Sequence, residues 1–195
     1  MSEGPSEAGE PGSESRRGLL RAAGAGLTAA IVAGCGGGGQ SIKAQVHNSQ
    51  PILGTDVGLL NQLLDLEYLA IAAYTAGTPL LDPATVKAGQ LFLNDELFHA
   101  GALAGLIEEA GGKPIKPAPS YDLGHPRTGQ EVLALLHRVE AAQLTAYLAA
   151  LPRLAPAQVR RSVAAILAND AQHVAVVRAT LGQPAVPSAL VSGRE

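Results

Sequence analysis

The sequence is short of the residues on which several common architectures depend. Among 195 residues there is one cysteine, Cys35, one methionine, no tryptophan and two phenylalanines. A single thiol excludes an internal disulfide framework, a cysteine-based zinc knuckle and a rubredoxin-type iron centre within the chain. Charged residues make up only 16% and leave a formal net charge of -3, with no stripe of Lys or Arg beside aromatic residues, so nucleic acid is not an expected partner. Sustained apolar and polar alternation, the mark of a half-buried strand, is also missing. The apolar content that is present, 47%, is mostly Ala, Leu and Val, which favours helices packed closely through small side chains. One domain with a tail suits this length.

The first 35 residues read as an export signal. Residues 1–14 are rich in Glu, Ser, Gly and Pro, and then Arg16-Arg17-Gly18-Leu19-Leu20 places paired arginines before a mildly apolar, Gly-rich stretch from Ala22 to Gly34. That stretch falls short of the about 20 apolar residues a membrane-spanning helix needs. The arrangement resembles a twin-arginine export signal, with Leu19 and Arg21 where Phe and Lys are frequent. Val32-Ala33-Gly34-Cys35 resembles a bacterial lipobox, which gives the lone cysteine a use as a lipidated N-terminus. Residues 36–53, opening with a glycine run, then serve as a flexible tether, residues 54–183 form the domain, and residues 184–195 are a tail. The expected location is the outer face of the cytoplasmic membrane, with a periplasmic or secreted form as the alternative.

Beyond residue 50 the apolar spacing is helical throughout, and four segments carry start and stop signals. The first runs from Asp56, taken as N-cap, to a terminator at Gly77; the second from Asp82-Pro83 to Gly111-Gly112. The third opens on Thr128-Gly-Gln-Glu131, a capping-box form, and stops at Pro152; the fourth runs from Pro156 to Gly182. Short turns join the first pair and the last pair, so each is an antiparallel hairpin. Between the pairs, residues 111–127 lack helical pattern and can span about 55 Å, more than the about 38 Å length of a 25-residue helix. The expected fold is therefore an all-α four-helix bundle of two hairpins joined by a long crossover.

The two hairpins repeat each other. Glu67 precedes Tyr74 by seven residues as Glu140 precedes Tyr147, and Glu96 precedes His99 by three as Asp170 precedes His173. All four carboxylates fall on the apolar faces of their helices and at one depth in the bundle. Burying them together without compensation would cost many kcal/mol, and a pair of divalent cations removes that cost. Residues three apart share a helical face, so Glu96 with His99, and Asp170 with His173, can each offer an oxygen and a nitrogen to one ion, with Glu67 and Glu140 completing the sets. Asp170 is one methylene shorter than Glu, which marks its half as the weaker arm. Tyr74 and Tyr147 read as core residues, with a phenol hydrogen bond to a carboxylate or a place on a radical path as the alternative, and Gln143 as part of a polar face, with support of the ligands as the alternative.

The segments Leu63–Tyr74, Asn94–His99, Val139–Tyr147 and Asn169–His173 resemble those of the ferritin-like superfamily, and most of all its exported bacterial members. Rubrerythrin and manganese catalase are more distant kin. The resemblance implies a di-iron or di-manganese carboxylate centre on Glu67, Glu96, His99, Glu140, Asp170 and His173, with redox activity on oxygen, peroxide or ferrous iron. The alternative is a structural or protective bundle that binds metal weakly or not at all. Expected partners are metal ions and, through the lipid, a membrane. A tethered chain fits a monomer or homodimer better than a closed shell.

Overall fold

The structure, a computed structural model, describes Met1 and residues 51–194. Arg16, Arg17, Cys35 and most of the proposed tether lie outside the described residues. Four long helices account for the domain: α1 (Gly54–Gly77), α2 (Pro83–Glu109), α3 (Gly129–Ala150) and α4 (Ala157–Thr180). Among the described residues there is no strand, and no helix is long and apolar enough to cross a membrane.

Most of the expected helix signals act as read. Asp82 caps α2 by accepting from the Ala84 and Thr85 amides at 2.8 and 3.2 Å. Thr128 and Glu131 form the reciprocal capping box of α3: the Glu131 amide donates to Thr128 Oγ1 at 3.2 Å, and the Thr128 amide to Glu131 Oε2 at 3.1 Å. Gly111 and Gly182 take left-handed backbones, φ 72° and 73°, just past the ends of α2 and α4.

Two expectations at α1 are corrected. Asp56 lies inside the first turn instead of capping it, and its buried carboxylate accepts from the Leu53 amide at 2.9 Å and the Ala155 amide at 3.2 Å. It thereby ties the start of α1 to the α3–α4 turn. Gly77 is still helical, and the chain then tightens into a 3-10 turn at Thr78–Leu80 that Pro79 favours. Its glycine serves close packing: a Cβ there would stand 2.6 Å from Val132 Cγ1 on α3.

The crossover runs along the bundle as its length allows. Asn61 on α1 pins its early part, donating to the Lys113 carbonyl at 3.2 Å and accepting from the Ile115 amide at 2.8 Å. Farther along, Leu123 packs against the apolar cluster at the opposite end. That core is divided. Leu60, Leu63, Leu103, Ile107 and Val163 belong to one cluster, while Ala73, Phe92, Val132, Leu136 and Val177 belong to the other. Each helix crosses from one cluster to the other through a polar residue: Glu67, Glu96, Glu140 or Asp170, all fully buried.

Candidate metal centre

Six predicted residues meet in this layer between the two clusters. Ligand atoms of Glu96, Glu140, Asp170 and His173 lie within 4.8 Å of one another, and so do those of Glu67, His99 and Asp170. Every one of the six is buried. Asp170, expected to be the weaker arm, is the one carboxylate common to both groups.

The pairing within the layer departs from expectation. His99 Nδ1 lies 3.3 Å from Asp170 and 3.7 Å from Glu67, but 4.0 Å from Glu96, its partner in the same motif. His173 Nδ1 lies 3.1 Å from Glu96 and 3.3 Å from Glu140. Residues three apart on a helix project side by side across the interior, so their tips meet the facing helices before they meet each other. His99 therefore groups with Glu67 and Asp170 instead of with Glu96, whereas His173 shares a group with Asp170 as their common motif predicts.

The tyrosines do more than fill the core. Tyr74 Oη donates to Glu140 Oε1 at 2.5 Å, and Tyr147 Oη donates to Glu67 Oε1. Each tyrosine thus holds the carboxylate of the other hairpin, Tyr74 reaching into the layer from one apolar cluster and Tyr147 from the other, as antiparallel α1 and α3 allow. Gln143 is fully buried and not on a polar face, and it takes the alternative role of supporting a ligand: its Nε2 donates to Glu96 Oε2 at 2.9 Å. The signal was available, since Gln143 follows Glu140 by three residues on the same face.

Asp95 was not singled out by the sequence and belongs to the centre. Its Oδ2 sits 3.2 Å from His173 Nε2, the nitrogen that faces away from the layer, and Phe92 stacks on the same imidazole with ring centroids 4.0 Å apart. Asp95 immediately precedes Glu96, and in the other hairpin Asn169 immediately precedes Asp170. His125 and His137 are not among the clustered ligand groups; His137 Nε2 lies 3.4 Å from an Arg178 nitrogen.

These outer contacts leave free atoms on four of the six donors, while Glu96 and His173 are partnered at both of their polar atoms. Glu67 and Glu140 each bond a tyrosine through Oε1, while Glu67 Oε2, Glu140 Oε2, both Asp170 oxygens and His99 Nδ1 are buried without a hydrogen-bond partner. Buried polar atoms are rarely left so, because each forfeits its hydration. The electrostatics carry the same strain. Burial, with the neighbouring Glu96, pushes Asp170 up to about 9; burial raises Glu140 to about 7 and lifts Glu67 well above the carboxylate range. Burial would lower His173, but its bonds to Glu140 and Glu96 prevail and raise it to about 10, whereas burial lowers His99. Burial also opposes ionisation of Glu96, yet His173 and Gln143 hold it below its ordinary value.

The donor set fits divalent metal ions. Mixed carboxylate oxygen and imidazole nitrogen suits first-row divalent ions, and two such cations would cancel the charge of four ionised carboxylates. The free atoms converge where such ions would have to sit.

The ferritin-like domain family matches residues 55–183, more than half of the chain. No curated protein matches it. Among solved structures, a conserved hypothetical protein from Mycobacterium tuberculosis has a TM-score of 0.63 over 69% of this chain and 96% of its own, with 19% identity, which speaks for the fold alone. The chain belongs to the ferritin-like domain family.

Proposed function

We propose that this ferritin-like chain is an exported, lipid-tethered metalloprotein that holds two ions of iron or manganese and uses them in redox chemistry on oxygen, peroxide or ferrous iron. The observation that carries the reading is the set of five unpartnered donor atoms on Glu67, His99, Glu140 and Asp170, all buried and all in one layer. When bound, the ions would supply one-electron redox steps and Lewis acidity. The chain supplies the rest. Asp170 would be shared between the ions, with Glu67 and His99 on one side and Glu140, His173 and Glu96 on the other. Tyr74, Tyr147, Gln143 and Asp95 fix the donors so that their free atoms stay turned inward.

Inductively coupled plasma analysis of the purified full chain tests the metal reading. About two equivalents of iron or manganese are expected, and the Glu96→Ala, Glu140→Ala double variant should lose them. Equal and negligible metal in both would sink it. Ferrous oxidation and peroxide consumption by metal-loaded protein then test the redox reading.

A second reading, a structural bundle with an unused centre, draws on the His173 half, where the imidazole already pairs with Glu96, Glu140 and Asp95. Identical melting of the apo-protein with and without iron or manganese would favour it, since a bound ion must raise stability by mass action. The export reading rests on Arg16, Arg17 and Cys35. Membrane fractionation of the full chain in a bacterial host tests it, with Cys35→Ser expected to move the protein to the soluble fraction.

A further inference from the structure

The metal layer is closed on most sides by buried groups. The rings of Tyr74 and Tyr147 belong to the apolar clusters at opposite ends, and Gln143 is fully buried on α3. Between α2 and α4 the situation differs. A cleft of about 500 Å³ opens there, with Asp95, Phe98, His99 and Ala102 on one wall and Ala165 and Asn169 among those on the other.

Two of these residues connect the cleft to the layer. His99 lines it and, although only 5% exposed, places Nδ1 3.3 Å from Asp170. Asp95 has a side chain 34% exposed, and its carboxylate touches His173 at 3.2 Å. Asp95 is therefore the water-accessible carboxylate in contact with the buried set. Asn169 adds a carbonyl oxygen, Oδ1, that is buried and unpartnered.

We infer that the α2–α4 cleft is the entrance through which divalent cations reach the centre, and that Asp95 is the first carboxylate they meet. The inference rests on the metal reading above. An ion with six waters takes up about 200 Å³ at about 30 Å³ per water, so the cleft admits it hydrated. Shedding that water requires oxygen donors along the way, which Asp95 and Asn169 provide. The remaining wall, Phe98, Ala102, Ser162, Ala165 and Ile166, carries no carboxylate and no imidazole, its only side-chain oxygen being the neutral Ser162 hydroxyl, so the ion passes on to Asp170 instead of lodging in the cleft. A second cleft of about 370 Å³, between α1 and α3 and lined in part by Gln62, Asp65, Ala149 and Arg153, includes no residue of the centre. It is the natural control.

Stopped-flow absorption of Co²⁺ binding to the full-length apo-protein tests the inference. Ala165→Phe and Ala102→Phe each plug the cleft from one wall, and should slow association about tenfold or more while leaving final stoichiometry unchanged, because packed side chains yield little. Ala149→Phe, in the control cleft, should bind at the wild-type rate. Asp95→Asn should slow association and flatten its dependence on ionic strength. If both plugged variants bind at the wild-type rate while wild type fills its sites, the entrance is elsewhere and the metal reading stands. If wild type takes up no Co²⁺, both fall. Should one plugged variant fail to fold by circular dichroism, the other carries the same test.

Discussion

His99 and His173 occupy equivalent positions in a repeated motif, and the structure treats them in opposite ways. His173 is sealed under Phe92, reached by Glu96, Glu140 and Asp95, and raised to about 10 because its neighbouring carboxylates outweigh its burial. His99 lines a cleft, has a buried nitrogen without a hydrogen-bond partner, and is lowered by burial. One half of the centre has assembled its own counter-charge and the other waits for one. A repeated sequence therefore does not produce two equal sites: His173 faces Glu96 and Glu140, while His99 lies nearest Asp170. Asp170 joins the two halves, being the carboxylate both groups contain.

The strongest break of that comparison is at Asp170. Asp170→Ala should lower metal content from about two equivalents toward none, whereas Glu67→Ala should cost only the ion on the His99 side, as measured by inductively coupled plasma analysis. Retention of one equivalent in Asp170→Ala would show that the halves bind independently.

The next effect is on the pH dependence of the apo-protein. Asp170 is raised from 3.8 to about 9, Glu140 from 4.5 to about 7 and His173 from 6.5 to about 10. All three hold protons in the folded state that the unfolded chain would release, so their contribution is full at low pH and is lost as pH rises through those folded values. Melting temperature of the apo-protein, followed by circular dichroism, should fall between about pH 5 and pH 9. Metal reverses the sign, because binding must expel those protons: apparent affinity for manganese should climb through the same window. An apo-protein that gains stability with pH would contradict the account of the layer as protonated in the absence of metal.

Smaller again is the loss of one tyrosine hydroxyl. Tyr147→Phe and Tyr74→Phe each remove a bond to a buried carboxylate, at a cost of about 1–3 kcal/mol by denaturant unfolding of the apo-protein. Tyr147→Phe should be the more costly, since Glu140 retains His173 at 3.3 Å while the imidazole beside Glu67 lies 3.7 Å away. Equal losses would mean that the two halves are better matched than their histidines indicate.

How much of this was legible in the sequence follows from what sequence spacing can encode. Along one helix, geometry is fixed by residue number, so Glu96 and His99, or Asp170 and His173, could be placed on common faces, and proline, glycine and capping residues marked the helix ends well. Across helices, partners depend on rotation and axial offset, which spacing does not specify. Hence the separation of His99 from Glu96, the choice of the opposite hairpin's carboxylate by each tyrosine and the contact of Asp95 with His173 appear only in three dimensions. Asp56 shows the same limit: its type announced a cap, but its partners Leu53 and Ala155 lie one turn back and on a different hairpin.

If the residue before each motif sets the character of its histidine partner, then exchanging those residues should move the two imidazoles toward each other. Asn169→Asp places a carboxylate beside His99, where the charged imidazole would gain a counter-ion, and Asp95→Asn removes one from His173. Nuclear magnetic resonance titration of the apo-protein should show His99 rising and His173 falling, each by about one pH unit or less, since Asp95 is partly exposed and water screens its charge. Stability should change by less than about 1 kcal/mol in either variant. A fall in His173 without a matching rise in His99 would place the asymmetry in the buried carboxylates and in the Phe92 ring, not in the residue that precedes each motif.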